Sequence, residues 1–297
     1  MTTPRIGIIG IGAMGFAMAT NLQARGHAPQ VRDVDAATIA AATGQGLAVC
    51  ESAAALAARC DLIAIVVVDA KQIDAVLFGD DDAGGVVHAP LHGRPLAVMI
   101  CSTIAPADTE RFRDRLLLHG IDLLDAPISG GPARAANGTM SMTLACPQPL
   151  RERFEPVLRE MAGTLFYVGE KVGDGARCKL VNNLLGGINL VAGAEALALG
   201  ARLGLDKRAL FELIQASSGA SWVVNDRMAR ALEGDYVPRA RSVILTKDVG
   251  LAVQMADAAG VDTPLGDVAL RLFQATVAAG YGELDDAAVI KSVCPDF

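Results

Sequence analysis

Short uninterrupted apolar runs alternate with helical stretches through the first half of the chain, and beyond residue 175 only the helical period persists. Residues 5–10, 29–33, 62–68, 96–101 and 121–125 are the strand candidates. The run 62–68, Leu-Ile-Ala-Ile-Val-Val-Val, is continuous rather than alternating, which suits a parallel strand buried on both faces. Helical segments lie between these runs, for example 105–119, and an amphipathic helix carrying Phe16, Ala19 and Leu22 follows the first strand. Such β–α alternation predicts a doubly wound parallel sheet. A further apolar stretch at 140–145, a helix near 150–162 and a short strand at 164–168 extend it.

The period then changes. Residues 176–203 contain no proline and place Leu180, Leu184, Ile188, Val191 and Leu199 at helical spacing, which predicts one long helix. Segments 206–216, 222–232, 243–259, 264–279 and 285–292 are also helical, punctuated by Gly204, Gly219, Gly234, Gly260 and Gly282. No strand is expected after residue 170. The chain is therefore expected to divide into an α/β domain over 1–170 and an all-α domain over 171–297, joined by the long helix.

Composition changes this picture little. Of the 297 residues, 52% are hydrophobic and 20% charged, an ordinary soluble globular balance. A net charge of −7 argues against nucleic acid or an anionic membrane as partner. No secretory leader pattern and no uninterrupted membrane-length apolar run is visible, so a cytoplasmic location is expected. The cysteines at 50, 60, 101, 146, 178 and 294 are scattered without a C-x-x-C pair and read as reduced small hydrophobes. His88 and His92 fall in a Pro/Gly loop where their spacing does not converge ligands, and no metal site is expected. Asp80-Asp81-Asp82 reads as a solvated turn.

Candidate chemistry lies where strands end. The first strand runs into Gly10-Ile11-Gly12-Ala13-Met14-Gly15, the G-x-G-x-x-G spacing of a dinucleotide-binding turn. Its first glycine permits the turn, the second lets a pyrophosphate approach, and the third lets the helix pack closely. Asp33 stands about 20 residues on, at the end of the second strand candidate. A carboxylate there accepts hydrogen bonds from ribose hydroxyls and repels a 2′-phosphate, which favours NAD over NADP. Arg32 points to the opposite side of a regular strand. After the strand ending near Ile100, Ser102 and Thr103 either cap the next helix or face the nicotinamide end of a dinucleotide.

Asp125-Ala126-Pro127-Ile128-Ser129-Gly130-Gly131-Pro132 follows a later strand. A serine hydroxyl with two glycine N–H groups makes a small anion cradle, the alternative being a plain glycine turn. At the domain boundary, Lys179 and Asn183 lie four apart and share one face of the long helix. One turn further, Gly186 and Gly187 remove bulk from that face and leave room for a ligand.

Taken together, these pieces resemble the β-hydroxyacid dehydrogenase family, typified by 3-hydroxyisobutyrate dehydrogenase, over essentially the full length. Gly10 to Gly15 with Met18-Ala-Thr-Asn21-Leu22 is similar to the family's cofactor motif, and Ser102-Thr103 to its nicotinamide-side loop. Asp125 to Gly131 resembles its substrate motif, Gly175-x-x-x-Lys179-x-x-x-Asn183 its catalytic motif, and Lys247-Asp248 a cofactor-contacting motif. The resemblance implies a Rossmann-type first domain and hydride transfer between NAD(P) and a small hydroxy carboxylic acid. Lys179 would be the general acid/base and Asn183 would orient it and the substrate. Ser129, Gly130 and Gly131 would hold the carboxylate, and Lys247 would reach the cofactor. Trp222 would stand near the substrate or serve as a core residue. Homodimers or homotetramers are expected.

One motif departs from the family. Val67-Val68-Asp69 replaces the usual Leu-Pro-Asn, so Val67 and Val68 would touch the dinucleotide through their backbone while Asp69 has no clear equivalent. The related 6-phosphogluconate dehydrogenases have longer chains and a histidine between lysine and asparagine, and imine reductases replace the lysine. A non-catalytic NAD-binding sensor would lose Lys179 or the Ser-Gly-Gly site, and both are present. Segments such as Lys247-Asp248-Val-Gly250-Leu251 and Tyr281 to Lys291 resemble threonate dehydrogenases, with tartronate semialdehyde reductases also near.

Overall fold

The computed structural model describes residues 3–79, 84–295 and 297; the Asp80-Asp81-Asp82 run lies outside them. The chain divides into two units, Met1–Lys179 and Leu180–Phe297.

In the first unit six strands run parallel: β1 (Ile6–Ile9), β2 (Gln30–Arg32), β3 (Ala48–Val49), β4 (Leu62–Ile65), β5 (Leu96–Ile100) and β6 (Ile121–Asp125). Their order is β3-β2-β1-β4-β5-β6, the doubly wound arrangement. The sheet continues with β8 (Met140–Ala145), antiparallel to β6 through Asp125 and Ala145. β8 then pairs with β7 (Ile128–Ser129), antiparallel, and with β9 (Ala162–Gly169), parallel.

Why the strands read as continuous apolar runs is visible in their two faces. Ile6 and Ile8 of β1, Leu62 and Ala64 of β4, and Ala97 and Met99 of β5 enter one core. Their alternates Ile9, Ile63, Ile65, Val98 and Ile100 enter the opposite core. The first core is closed by α1 (Ala13–Ala24) and α7 (Gln148–Met161) through Met18, Leu22, Phe154 and Leu158. The second is closed by α3 (Ala53–Ala57), α4 (Ala70–Phe78) and α5 (Pro106–Leu117) through Leu56, Ile73, Leu77, Phe112 and Leu116. Two short helices complete the unit, α2 (Ala36–Gly44) and α6 (Gly131–Ala136). The helix after β1 is less amphipathic than its sequence suggests. Gly15, Ala17, Met18, Ala19, Asn21 and Leu22 are all buried, because α6 and α7 also pack on it.

Strand β4 stops three residues before the apolar run does. Val66 still donates to Ile9 O (2.8 Å), but Val67 N–H turns to the Ser102 hydroxyl and Val68 N–H to the Gln72 side chain. Side chains thus capture the backbone groups that a longer strand would have paired.

The long helix α8 (Asp174–Arg202) begins in the first unit and runs on into the second. By length and composition it could cross a membrane, a property that counting uninterrupted apolar runs did not register. Its Leu190, Val191, Ala194 and Leu197 instead form the core of the second unit. Around them lie α9 (Lys207–Gln215), α10 (Trp222–Ala231), α11 (Ser242–Ala258), α12 (Pro264–Thr276) and α13 (Val289–Val293). The helix expected over 264–279 ends at Thr276, followed by a wider turn through Gly280 at φ +90°. Among the described residues the second unit holds no strand, only an isolated bridge between Arg241 and Asp285.

Candidate active site

The glycine turn separates three jobs. Gly10 sits at φ +86°, and a side chain there would meet the Val66 carbonyl oxygen at 2.5 Å. A side chain at Gly15 would run into the Gly10 carbonyl oxygen. Both are required by the fold itself. Gly12 is different, since a Cβ there meets nothing within 4 Å. It N-caps α1 with no side-chain bond, and the first turn (Ala13, Met14, Gly15) carries no acidic residue. An open glycine before an uncapped positive helix end fits a dinucleotide pyrophosphate.

Asp33 organises this loop from the end of β2. Its Oδ2 accepts from Ile11 N–H at 2.7 Å, and Oδ1 from the N–H groups of Val34 (2.7 Å) and Asp35 (3.0 Å). Ile11 therefore spends its N–H on Asp33 and its side chain in the core. Asn21, the polar member of the cofactor motif, is also turned inward. It donates to the Glu160 carbonyl oxygen (2.9 Å) and accepts from Arg25 Nε (3.0 Å), fastening α1 to the end of α7.

Of the two readings of Ser102, the structure removes the helix cap. Ser102 does not cap α5, whose N-cap is Ala105, and its hydroxyl is committed to Val67. Ser102 Oγ donates to Val67 O at 2.7 Å and accepts from Val67 N–H at 3.2 Å. Thr103 follows it, half-buried, and does not cap the helix either. The N–H groups of Val67 and Val68 are thus satisfied internally, and Val68 is exposed. Asp69 caps α4 by accepting from Gln72 N–H (2.8 Å), which gives it a structural role.

At the far edge of the parallel strands, the Ser-Gly-Gly segment follows β6. Gly130 and Gly131 have φ of +125° and +73°, a backbone that glycine enters without a Cβ penalty. Lys179, only 9% exposed, donates from Nζ to Ser129 Oγ. The amine and the hydroxyl singled out for acid–base work and carboxylate binding are thus in contact.

What places Lys179 is a residue that the motif reading did not single out. Asp125 closes β6 and is 1% exposed; its Oδ2 accepts from Gly173 N–H (2.8 Å) and Ala176 N–H (3.1 Å) at the start of α8. Burial pushes its carboxyl up to about 6, against the opposing pull of the Ala176, Gly173 and Gly175 amides. Gly175 is needed here, because a side chain would stand 2.9 Å from Asp125. An acid directly after the apolar pair Leu123-Leu124 was the available signal.

In the second unit, Asn183 Nδ2 donates to Asp248 Oδ2 at 2.8 Å. Asp248 is 5% exposed, and its Oδ1 lies 2.8 Å from Lys247 Nζ. Its carboxylate thus serves Asn183 and Lys247. Gly187 also proves structural: a Cβ there would press on Val249 at 2.7 Å, so it lets α8 and α11 pack, while Gly186 faces open space. Trp222, first residue of α10, is 65% exposed and is not a core residue.

Comparison with known proteins agrees with this geometry. Residues 5–169 match the family model of the NAD-binding domain of 6-phosphogluconate dehydrogenase, and residues 173–293 that of NADP-dependent 3-hydroxyisobutyrate dehydrogenase. L-Threonate dehydrogenase of Cupriavidus necator is 38% identical, covering 96% of this chain and 95% of its own. The 3-hydroxyisobutyrate dehydrogenase of Pseudomonas aeruginosa is 34% identical over 96% of this chain and 97% of its own. A crystal structure of 3-hydroxyisobutyrate dehydrogenase from Salmonella typhimurium superposes with a TM-score of 0.85 at 34% identity, covering 97% of this chain and 99% of that one. With the glycine turn, the buried lysine and the Ser-Gly-Gly segment in place, the chain belongs to the β-hydroxyacid dehydrogenase family of NAD(P)-dependent oxidoreductases.

Proposed function

We propose that this protein oxidises a small hydroxy carboxylic acid with NAD, using Lys179 as general acid/base. The observation that carries the reading is the contact of the buried Lys179 amine with Ser129, which puts a proton-transfer group beside a carboxylate cradle. A nicotinamide dinucleotide held along Gly12, Ala13, Met14 and Gly15 supplies a two-electron hydride acceptor. Lys179 takes the proton of the substrate hydroxyl during oxidation and returns it to the carbonyl oxygen during reduction. Ser129, Gly130 and Gly131 bind the carboxylate, Asn183 orients the substrate, and the exposed Trp222 stands beside it. Thr103, Val67 and Val68 line the cofactor, and Lys247 contacts it.

Asp33 supports NAD over NADP. Its carboxylate is fixed at the end of β2 by three backbone amides, and that negative charge opposes a 2′-phosphate. For the substrate, the identity to L-threonate dehydrogenase and the resemblance of the C-terminal segments favour a sugar acid with hydroxyls on adjacent carbons. The 3-hydroxyisobutyrate reading rests on the 34% identity to that enzyme. Spectrophotometric NADH formation against L-threonate, 3-hydroxyisobutyrate and glycerate separates the two, with tartronate semialdehyde tested in reverse. Binding of NAD without turnover of any acid would favour a sensor instead.

We assign cofactor binding to residues 1–170 and substrate orientation and self-association to 171–297. Exposed apolar residues on α8, Val181, Leu185 and Leu199, with Leu203 just after it, support a homodimer or homotetramer. Light scattering on the purified protein tests it, and a monomer at working concentration removes it. All six cysteines are free, which suits a reducing cytoplasmic compartment.

A further inference from the structure

We infer that Asp248 is a positioning residue for the reaction: its buried carboxylate holds the Asn183 amide with the oxygen outward, so that Asn183 accepts a hydrogen bond from a substrate hydroxyl. This rests on Asn183 being a substrate residue, as proposed above. A carboxylate only accepts, so only the NH₂ half of the amide can face Asp248 Oδ2, 2.8 Å away. Asn183 Oδ1 is thereby directed elsewhere. Asn182 Nδ2 lies 3.3 Å from it, and a carbonyl oxygen has a second lone pair to offer.

The pair is not required to set the spacing of the two helices. Gly187 of α8 already packs on Val249 of α11, and on Phe273 beyond it, through an apolar contact one residue away from Asp248. A carboxylate buried as Asp248 is, against a half-buried Asn183, carries a desolvation cost that an apolar side chain would not. Lys247 shares the same carboxylate, which keeps Asp248 paired on both oxygens. The result is an acceptor whose direction is fixed before any ligand arrives. The reacting hydroxyl has a single proton, which goes to Lys179, so the donor to Asn183 Oδ1 is a hydroxyl on a neighbouring carbon. The contact therefore favours acids that carry a second hydroxyl beside the reacting one.

A double-mutant cycle tests the inference. Asp248→Asn keeps the shape but lets either half of the new amide face Asn183, and Asn183→Ala removes the acceptor. Each single variant is expected to lower kcat/KM for the hydroxy acid about 10- to 100-fold, mainly through KM. The double variant should be no worse than Asn183→Ala alone, and 3-hydroxyisobutyrate, which has no second hydroxyl, should suffer less than L-threonate. Additive losses, or equal losses for both acids, would overturn the inference in favour of a merely structural pair. A readout independent of turnover is the Asn183 side-chain NH₂ signal in protein labelled with ¹⁵N-asparagine. It should be protected from exchange in the wild type and lose that protection in Asp248→Asn. A signal indifferent to the substitution removes the inference. A responsive signal in a protein that turns over no acid would instead remove the functional reading and keep the Asp248–Asn183 orientation.

Discussion

The two ends of the parallel sheet differ in whether cations reach their carboxylates. At the carboxyl ends of the strands, Asp33 and Asp125 are met by backbone N–H groups: Ile11, Val34 and Asp35 for the one, Gly173 and Ala176 for the other. At the amino ends, Asp61 accepts one backbone N–H, from Arg5 (2.9 Å), but is met chiefly by the guanidinium groups of Arg5 and Arg94. Amides fix a carboxylate in place without adding a cation, so the ligand end keeps its loops ordered and leaves the free helix terminus as its anion-binding feature. Arginines neutralise charge and tie β1, β4 and β5 together where no ligand is expected. In open α/β sheets ligands bind at the carboxyl ends, and the choice of partner for each acid follows that division.

The largest effect should come from the ligand end. Lys179→Ala is expected to lower kcat by about 10³-fold or more, while the NAD dissociation constant measured by fluorescence stays within a few-fold. Retention of most of the turnover would show that Lys179 is not the acid/base and that Asp125 anchors α8 for folding alone.

The glycine turn offers a second test, because two of its members answer to different demands. Gly15→Ala drives a methyl group into the Gly10 carbonyl and should cost about 2–3 kcal/mol in urea unfolding. Gly12→Ala meets open space at an ordinary φ of −63° and should cost no more than about 1 kcal/mol. It should nevertheless raise the KM for NAD at least about tenfold, since the methyl occupies the space through which the pyrophosphate approaches. If Gly12→Ala destabilised as much as Gly15→Ala without touching NAD binding, the open space would be a packing feature and not a ligand site.

These differences also explain how much could be read from the chain. The glycine spacing, the parallel strands and the long helix are local patterns, each contained in a few consecutive residues, and all of them are found in the structure. β3 and β7 are two residues long, too short for any period. The end of β4 was misplaced because Ser102, 35 residues away, takes both backbone groups of Val67. Likewise, nothing near Asp248 indicates that its partner is Asn183, 65 residues earlier. Side-chain bonds across long separations decide what a motif residue does, and a motif gives only its position. That is why Asp248 and Ser102 matched the family pattern yet hold other residues of the chain.

pH separates the two ends by sign. Burial raises the Asp125 carboxyl from 3.8 to about 6, so between those values the folded state binds more protons than the unfolded chain. Its contribution to stability is present below pH ~4 and is lost as pH rises through 6, by about 2–3 kcal/mol. Asp125→Asn, whose amide oxygen can still accept from Gly173 and Ala176, should flatten that slope in unfolding curves taken between pH 4 and 7. An unchanged slope would mean that the amides, not burial, dominate at this site.

Asp61 should behave in the reverse sense and more weakly. Hydrogen bonds from Arg5, assisted by Arg94, hold its carboxyl down to about 2 from 3.8. The unfolded chain therefore binds the proton first as pH falls. The stabilisation is complete above pH ~4 and is lost on descending through 2. Arg5 is half-exposed, so solvent and salt screen the pair and the term is small. Asp61→Asn should cost about 1 kcal/mol at pH 7 and well under half of that at pH ~2, and the pH 7 cost should shrink in 1 M salt. Asp125→Asn should show no such salt dependence, because backbone amides and burial, rather than a mobile cation, set its environment. If both variants responded equally to salt, the two ends of the sheet would differ only in which residues supply the partners and not in the kind of interaction they use.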